Sequence, residues 1–399
     1  MSEVIVRIAA RGEGVTASGR HVPFAVPGDL LDESGVLTPG PGHQQPPCRH
    51  FPACGGCQIQ HVADPAYREY LRDRIVGALA QHGLQIEVRE PYLSPPRTRR
   101  RASLRALKLG KGVALGFNEA KSNQIVDMRE CHVLAPELFA LVAPLRGLLA
   151  TMLRPKRTAE VQLTLVDQGV DLALSGVEAE GLAAAEALTA FCEVNRLARL
   201  TVDDGLGPEA RYEPVPATIT LSGLAVPFPP GAFLQATRDG EAALVAVVCE
   251  AVAGAAAVAD LFAGVGTFAL SLDGRMYAAE AARDAVLALK GAAALAGRLI
   301  AVEHRDLYRR PLTAKELANF DAVVLDPPRA GAVEQIAQLA MSTVPRIAYV
   351  SCNPATFARD AETLARGGYK LEWIQPVGQF RWSTHVELVS CFTSQGSRG

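Results

Sequence analysis

Apolar and polar positions divide the chain into three stretches. Over residues 1 to about 32 they alternate, with Gly12, Gly14, Gly19 and Gly28 between short runs, which predicts a small all-β module. The proline- and glycine-rich stretch 35–47 reads as a linker. A helix is expected over Asp64 to Gln81, with Asp64 as its N-cap and Pro65 in the first turn. From about 86 to 225 the patterns mix, with a hairpin at 159–176 and a helix at 181–195. Beyond about 226, strands at 256–260, 275–279, 321–326, 346–351 and 384–391 alternate with helices, the pattern of a parallel doubly wound α/β sheet. The expected domains are a β module with its linker (1–42), an α+β middle domain (43–225) and a Rossmann-like domain (226–399).

Composition narrows this picture. A chain of 399 residues exceeds one ordinary core, and 49% hydrophobic with 21% charged residues describes a soluble globular protein. The net charge of -2 means that any nucleic-acid surface must be local. Neither a secretory leader nor a membrane span is expected, since Glu250 and Asp260 interrupt the longest oily region. Eight cysteines in so long a chain make no disulfide scaffold, so a reducing cytoplasm is expected. The chain is also expected to be a monomer.

The third stretch carries chemistry. In Asp260-Leu261-Phe262-Ala263-Gly264-Val265-Gly266-Thr267-Phe268 a strand runs into a Gly-X-Gly turn that lets a ligand approach the backbone. Glu280 ends the next strand, a spacing of 20 from Asp260 (280 − 260), which suits an acid that holds a ribose hydroxyl. NAD and S-adenosylmethionine both fit that loop. Asp326-Pro327-Pro328-Arg329, a rigid turn after a strand, favours S-adenosylmethionine, because several kinds of methyltransferase place such a turn beside the methyl donor.

Cys352, in Ser351-Cys352-Asn353-Pro354 at a strand end, is a candidate nucleophile. Glu387, two residues past His385 and expected on the same strand face, is a candidate base. Attack at C6 of a pyrimidine makes C5 nucleophilic, and a base must later remove the C5 proton; cysteine and glutamate suit those roles. Cys48, Cys54 and Cys57 lie on one short loop with Gly55 and Gly56, and Cys131 is a plausible fourth metal ligand. Their spacing leaves zinc and iron–sulfur both open. Arg97, Arg99, Arg100, Arg101 and Arg105 form a run suited to phosphate contacts.

In combination, "FLQAT" (233–237), "DLFAGVGTF" (260–268), "LDPPRAG" (325–331), "SCNP" (351–354) and "HVE" (385–387) resemble the RNA (uracil-C5) methyltransferase family, in its iron–sulfur-containing 23S ribosomal RNA branch. The resemblance runs from about Cys48 to the end. It implies a class I S-adenosylmethionine-dependent fold, with Cys352 as nucleophile and Glu387 as the base for the C5 proton. It implies cofactor contacts from Gln235, Phe262, Glu280, Asp306 and Asp326, and a 4Fe–4S cluster on Cys48, Cys54, Cys57 and Cys131. Residues 4–29 resemble a shortened TRAM-type RNA-binding barrel. Two positions depart from the family pattern. Thr237 stands where asparagine is usual, and Gly378-Gln379-Phe380-Arg381 replaces a Phe-Pro preceded by an acid. The expected partner is RNA, 23S ribosomal RNA ahead of transfer RNA. An N-methyltransferase using Asp-Pro-Pro leaves Cys352 and Glu387 without roles, and a non-enzymatic RNA-binding module leaves a filled set of catalytic positions unexplained.

Overall fold

Eight strands form one sheet in a computed structural model that describes residues 2–110 and 112–396. Their order is Ile300–His304, Arg275–Glu280, Ala257–Leu261, Ala322–Leu325, Arg346–Ser351, Glu387–Ser394, Tyr369–Gly378 and Tyr92–Leu93. The first five run parallel, and Glu387–Ser394 is antiparallel to both its neighbours. The central strands are mostly apolar because both faces are covered, with Asp260 a buried exception. Ile347 and Tyr349 join a core with Tyr67, Leu71, Phe357 and Leu364, while Ala348 and Val350 join another with Leu244, Val248 and Leu289. Strand order reverses at Ala257–Leu261, and ligands of such sheets bind beyond the strand C-termini at that switch point.

The strands Ile300–His304 and Tyr369–Gly378 had no counterpart among those expected from sequence. The last strand begins at Glu387, three residues later than expected, because residues 382–384 form a turn. In that turn Trp382 has φ 58°, and its carbonyl accepts the N–H groups of Gln58 and Ile59. His385 therefore precedes the strand, and the expected shared strand face with Glu387 is not formed.

Packing cuts across the 43–225 range. The helix Asp64–Ala80 lies against Pro354–Arg366 and buries Tyr67, Leu71, Ile75 and Leu79 in the core of the large sheet. Its N-cap is Ala63; the Asp64 carboxylate accepts instead from Arg381 at 2.5 Å. Residues 101–212 build a six-stranded sheet, covered by Val142–Met152 and Leu182–Asn195, while Tyr92–Leu93 joins the large sheet and Thr218–Leu221 pairs with Leu224–Pro227. The expected hairpin is there, Thr158–Val166 paired with Gly169–Ser175.

At the N-terminus five short antiparallel strands span residues 3–38. One of them, Leu37–Thr38, lies in the expected linker. That stretch is held by Asp29, fully buried, which accepts from the Gly40 N–H at 2.7 Å and lies 3.1 Å from His43 Nδ1. No helix among the described residues is long and apolar enough to cross a membrane.

Candidate active site

A cavity of about 810 Å³ opens beyond the strand ends at the switch point. Phe262, Glu280, Asp306, Asp326, Cys352 and Glu387 all line it. Gln235, buried behind that wall, donates from Nε2 to Asp326 Oδ2 at 3.2 Å. The glycine turn is built around Glu280, whose carboxylate accepts from the Gly264 N–H at 2.9 Å and the Ala282 N–H at 2.7 Å. Gly264 has φ 56° and open space where a Cβ would stand, while a Cβ on Gly266 would lie 2.5 Å from Leu289. The Phe262 ring lies 5.5 Å from that of Tyr308, whose N–H donates to Asp306 at 3.0 Å. This half of the cavity is acidic, ringed and open at the backbone.

Cys352 follows the strand Arg346–Ser351, and Asn353 caps the helix Pro354–Arg366 by accepting from the Ala355 N–H at 3.2 Å. Asn353 also donates to the Arg329 carbonyl at 3.1 Å, which ties the cysteine turn to the Asp326–Arg329 turn. Burial pushes the Cys352 thiol up to about 11, Glu387 and Asp326 adding to the shift and Arg329 opposing it. Glu387 is buried, and that burial raises its proton affinity against the Gln379 amide and the Arg101 charge. Asp326 is raised as well, by burial and by Glu387.

Cys48, Cys54, Cys57 and Cys131 meet around a second cavity of about 220 Å³. Glu130 accepts from Arg49, His50 accepts from the Arg129 N–H, and Gly55 donates to the Asn118 carbonyl, so residues 48–57 are tied to 118–132. A Cβ on Gly55 would lie 2.7 Å from that carbonyl, so the loop needs glycine there. Burial raises the Cys48 and Cys54 thiols and pushes Cys57 up to about 12. All four thiols line that cavity, yet among the described residues no three His, Cys, Asp or Glu side chains gather closely enough to hold one metal ion. Arg99 and His385 line both cavities, so the two sites share a wall.

A family model described as tRNA (Uracil-5-)-methyltransferase matches residues 300–393. An RNA methyltransferase of Zymomonas mobilis is 52% identical over 98% of this chain and 99% of its own length. The 23S rRNA (uracil(1939)-C(5))-methyltransferase RlmD of Bordetella parapertussis is 33% identical over 90% of this chain and 82% of its own. The chain belongs to the RNA uracil-5-methyltransferase family. Its fold is that of the class I S-adenosylmethionine-dependent enzymes. The Pyrococcus abyssi tRNA (uracil-54, C5)-methyltransferase, in complex with S-adenosyl-L-homocysteine, superposes with TM-score 0.75 at 23% identity over 98% of this chain and 100% of that one.

In this RNA uracil-5-methyltransferase the arginine run divides by role. Arg100 is no phosphate ligand: it is 3% exposed, paired with Glu241 at 2.6 Å, and its Nε donates to the Gln235 carbonyl at 3.0 Å. Arg105 pairs with Glu160 at 2.5 Å. Both acids lie far away in sequence, so the run reads as uncompensated when the fold compensates it. Arg99 and Arg101 do line the cavity that holds Cys352 and Glu387. Arg101 has a buried Nε without a partner and sits over the Phe233 ring at 4.9 Å; Arg99 sits over Phe380 at 5.6 Å. Phe233, Phe380 and Arg329 line the same space and were not singled out from sequence, although Phe233 and Arg329 belong to recognised motifs. Thr237, the departure from asparagine, caps the helix Arg238–Ala251 by accepting from the Gly240 N–H at 3.0 Å.

Proposed function

We propose that the protein makes 5-methyluridine in 23S ribosomal RNA through a covalent bond between Cys352 and C6 of the target uracil. The observation that carries this reading is one cavity holding both Cys352 and Glu387, acidic on one side and lined by Arg99, Arg101, Phe233 and Phe380 on the other. Phe262, Glu280, Asp306 and Asp326, with Gln235 behind them, hold S-adenosylmethionine; the open backbone at Gly264 and the acidic lining fit a cationic adenosine cofactor. When bound, that cofactor supplies an electrophilic methyl group and a positive sulfonium.

Burial, with Glu387 and Asp326, outweighs Arg329 and keeps the Cys352 thiol protonated at neutral pH; further positive charge beside those acids draws it toward the thiolate. Its sulfur bonds to C6 of a uracil that has left its stack, which makes C5 nucleophilic toward the methyl group. Glu387 then takes the C5 proton, the C5–C6 double bond reforms, and the C6–S pair returns to Cys352. Burial raises the proton affinity of Glu387 and suits it to that task near neutral pH. Arg99 and Arg101 meet phosphate or base oxygens, and Phe233 and Phe380 offer faces to unstacked bases.

Cys48, Cys54, Cys57 and Cys131 ligate a 4Fe–4S cluster in this reading. What supports this is the donor set: four cysteine thiols line one cavity, the ligand complement that such a cluster takes. Ribosomal RNA is favoured by the 33%-identical relative that aligns over 90% of the chain. Transfer RNA is the second reading, raised by the description of the matching family model.

The test uses Glu387→Gln with S-adenosylmethionine and, separately, 23S ribosomal RNA fragments and bulk transfer RNA. A covalent protein–RNA band should appear on a denaturing gel with the ribosomal RNA and vanish when Cys352→Ala is added. A band with transfer RNA alone reverses the substrate assignment. No 5-methyluridine from the wild-type protein on either RNA sinks the proposal.

A further inference from the structure

Gln379 stands at one of the two departures from the family pattern and is 1% exposed. Every hydrogen-bonding position of its amide except one acceptor lone pair is used. Oε1 accepts from the Ala236 N–H at 2.8 Å, and Nε2 donates to Gln235 Oε1 at 2.7 Å and to Glu387 Oε2 at 3.1 Å. Reversing the amide would set donor against donor at Ala236 and oxygen against oxygen at the other two contacts, so these neighbours fix its orientation. Gln235 passes the chain on, its Nε2 donating to Asp326 Oδ2 at 3.2 Å. Two amides thus bridge the acid of the Asp-Pro-Pro turn and the candidate base, with each carboxylate accepting one N–H. The helix start at Arg238 makes room for this: a Cβ on Gly240 would lie 2.7 Å from Gln379 Cβ.

The charged and titratable groups that face Glu387 are Asp326, Cys352 and Arg101. None of them is within ion-pair distance of its carboxylate among the described residues. The direct contact is the neutral amide of Gln379.

We propose that Gln379 is a positioning residue for C5 deprotonation. It pins Oε2 of Glu387, leaves Oε1 as the basic oxygen, and joins the base to the methyl-donor side of the cavity through Gln235 and Asp326. This rests on the function proposed above. In the step concerned, an Oε1 lone pair takes the C5 proton and the C5–H pair becomes the C5–C6 double bond. The C6–S bond breaks, its pair returning to the Cys352 sulfur. The resulting neutral acid carries its proton on Oε1, and Oε2 goes on accepting from Gln379. A proton on Oε2 would meet the amide hydrogen head-on.

Two variants test the proposal. Gln379→Met keeps the length and removes every polar contact; Gln379→Glu keeps the size and the acceptor for Ala236 while losing both donors. In each, turnover should fall about ten- to hundredfold, the effect of losing a hydrogen bond to a charged group. KM for RNA should change less than about threefold, and the covalent protein–RNA adduct should accumulate. The acidic limb of the pH–rate profile should move to higher pH, because a Glu387 carboxylate without its donor holds its proton more tightly. Gln379→Glu should move it further, by adding an acid beside Glu387. Slower turnover with an unmoved pH limb and no adduct would show that Gln379 only fills space and would overturn the inference. If the wild-type protein and Glu387→Gln form no adduct at all, the parent reading fails too. If those two behave as proposed and both Gln379 variants match the wild type, this inference alone fails.

Discussion

Arg101 and its neighbour Arg100 make opposite predictions, and Arg101 is the more informative. Its guanidinium is partly buried, its Nε has no partner, and no carboxylate pairs with it among the described residues. Burial, with Arg99 and Arg100 nearby, lowers its proton affinity from 12.5 to about 10 against the attraction of Glu387. The folded protein therefore strains against this charge at every pH below about 10, where Arg101 is a cation in both folded and unfolded states. A shift of that size has an upper limit of roughly 3 kcal/mol, and solvent screening at a partly exposed group reduces it to about 1 kcal/mol. Arg101→Met keeps the apolar stem, removes the charge and loses a cation–π contact with Phe233 of about 0.5–1 kcal/mol. The expected variant is as stable as the wild type or up to about 0.5 kcal/mol more stable by urea denaturation. Methyl transfer under single-turnover conditions should nonetheless fall at least about tenfold, the effect of losing one charge-assisted hydrogen bond to RNA. A variant destabilised by more than about 1 kcal/mol, or one that methylates RNA at the wild-type rate, would refute the reasoning.

Arg100→Ala should behave in the opposite way: it strands the buried Glu241 carboxylate and should lower stability by about 3–5 kcal/mol in the same urea titration. Serine at Cys54 or Cys57 should abolish iron retention and the visible absorption band of anaerobically purified protein, whereas stoichiometric zinc in the wild type would refute the cluster assignment. His61 is 2% exposed, both its ring nitrogens lack partners, and burial lowers it from 6.5 to about 4. Because its folded value lies below the unfolded one, its contribution is whole above pH 6.5 and is lost as pH falls toward 4, up to roughly 3 kcal/mol. Denaturant midpoints should fall across that window, and His61→Phe should flatten the fall.

The large sheet was legible because its central strands are apolar on both faces. Ile347 to Val350 read as a strand whichever face is counted, and Ala257 to Leu261 does so with one interruption, the buried Asp260. Ile300–His304 carries Glu303 and His304 at the sheet edge, and Tyr369–Gly378 carries Lys370, Glu372 and Gln375, so neither shows the same uninterrupted run. Domain limits were less legible still. The helix Asp64–Ala80 follows the cysteine loop in sequence but packs on Pro354–Arg366, and only the three-dimensional contact shows which core its Leu71 and Ile75 serve.

The site divides on the same physical ground. Asp326 and Cys352 stand at strand ends with a proline one or two residues on, where local backbone constraints make the residue conspicuous, and Glu280 ends a strand at a set spacing from Asp260. Arg100 and Arg101 are identical and adjacent in sequence, yet the extended backbone sends one side chain to Glu241 and the other into the cavity beside Cys352 and Glu387. Nothing local separates them. Gln379 is harder again, since an uncharged side chain in a turn carries no chemical signature of its own. Its meaning comes from three partners, at 235, 236 and 387, that the sheet brings together from two distant parts of the chain. A departure from a family motif is thus a place to look for a replaced interaction. Here the Gln379 amide reaches the Glu387 carboxylate as a neutral donor, without adding a further negative charge beside Asp326 and Glu387.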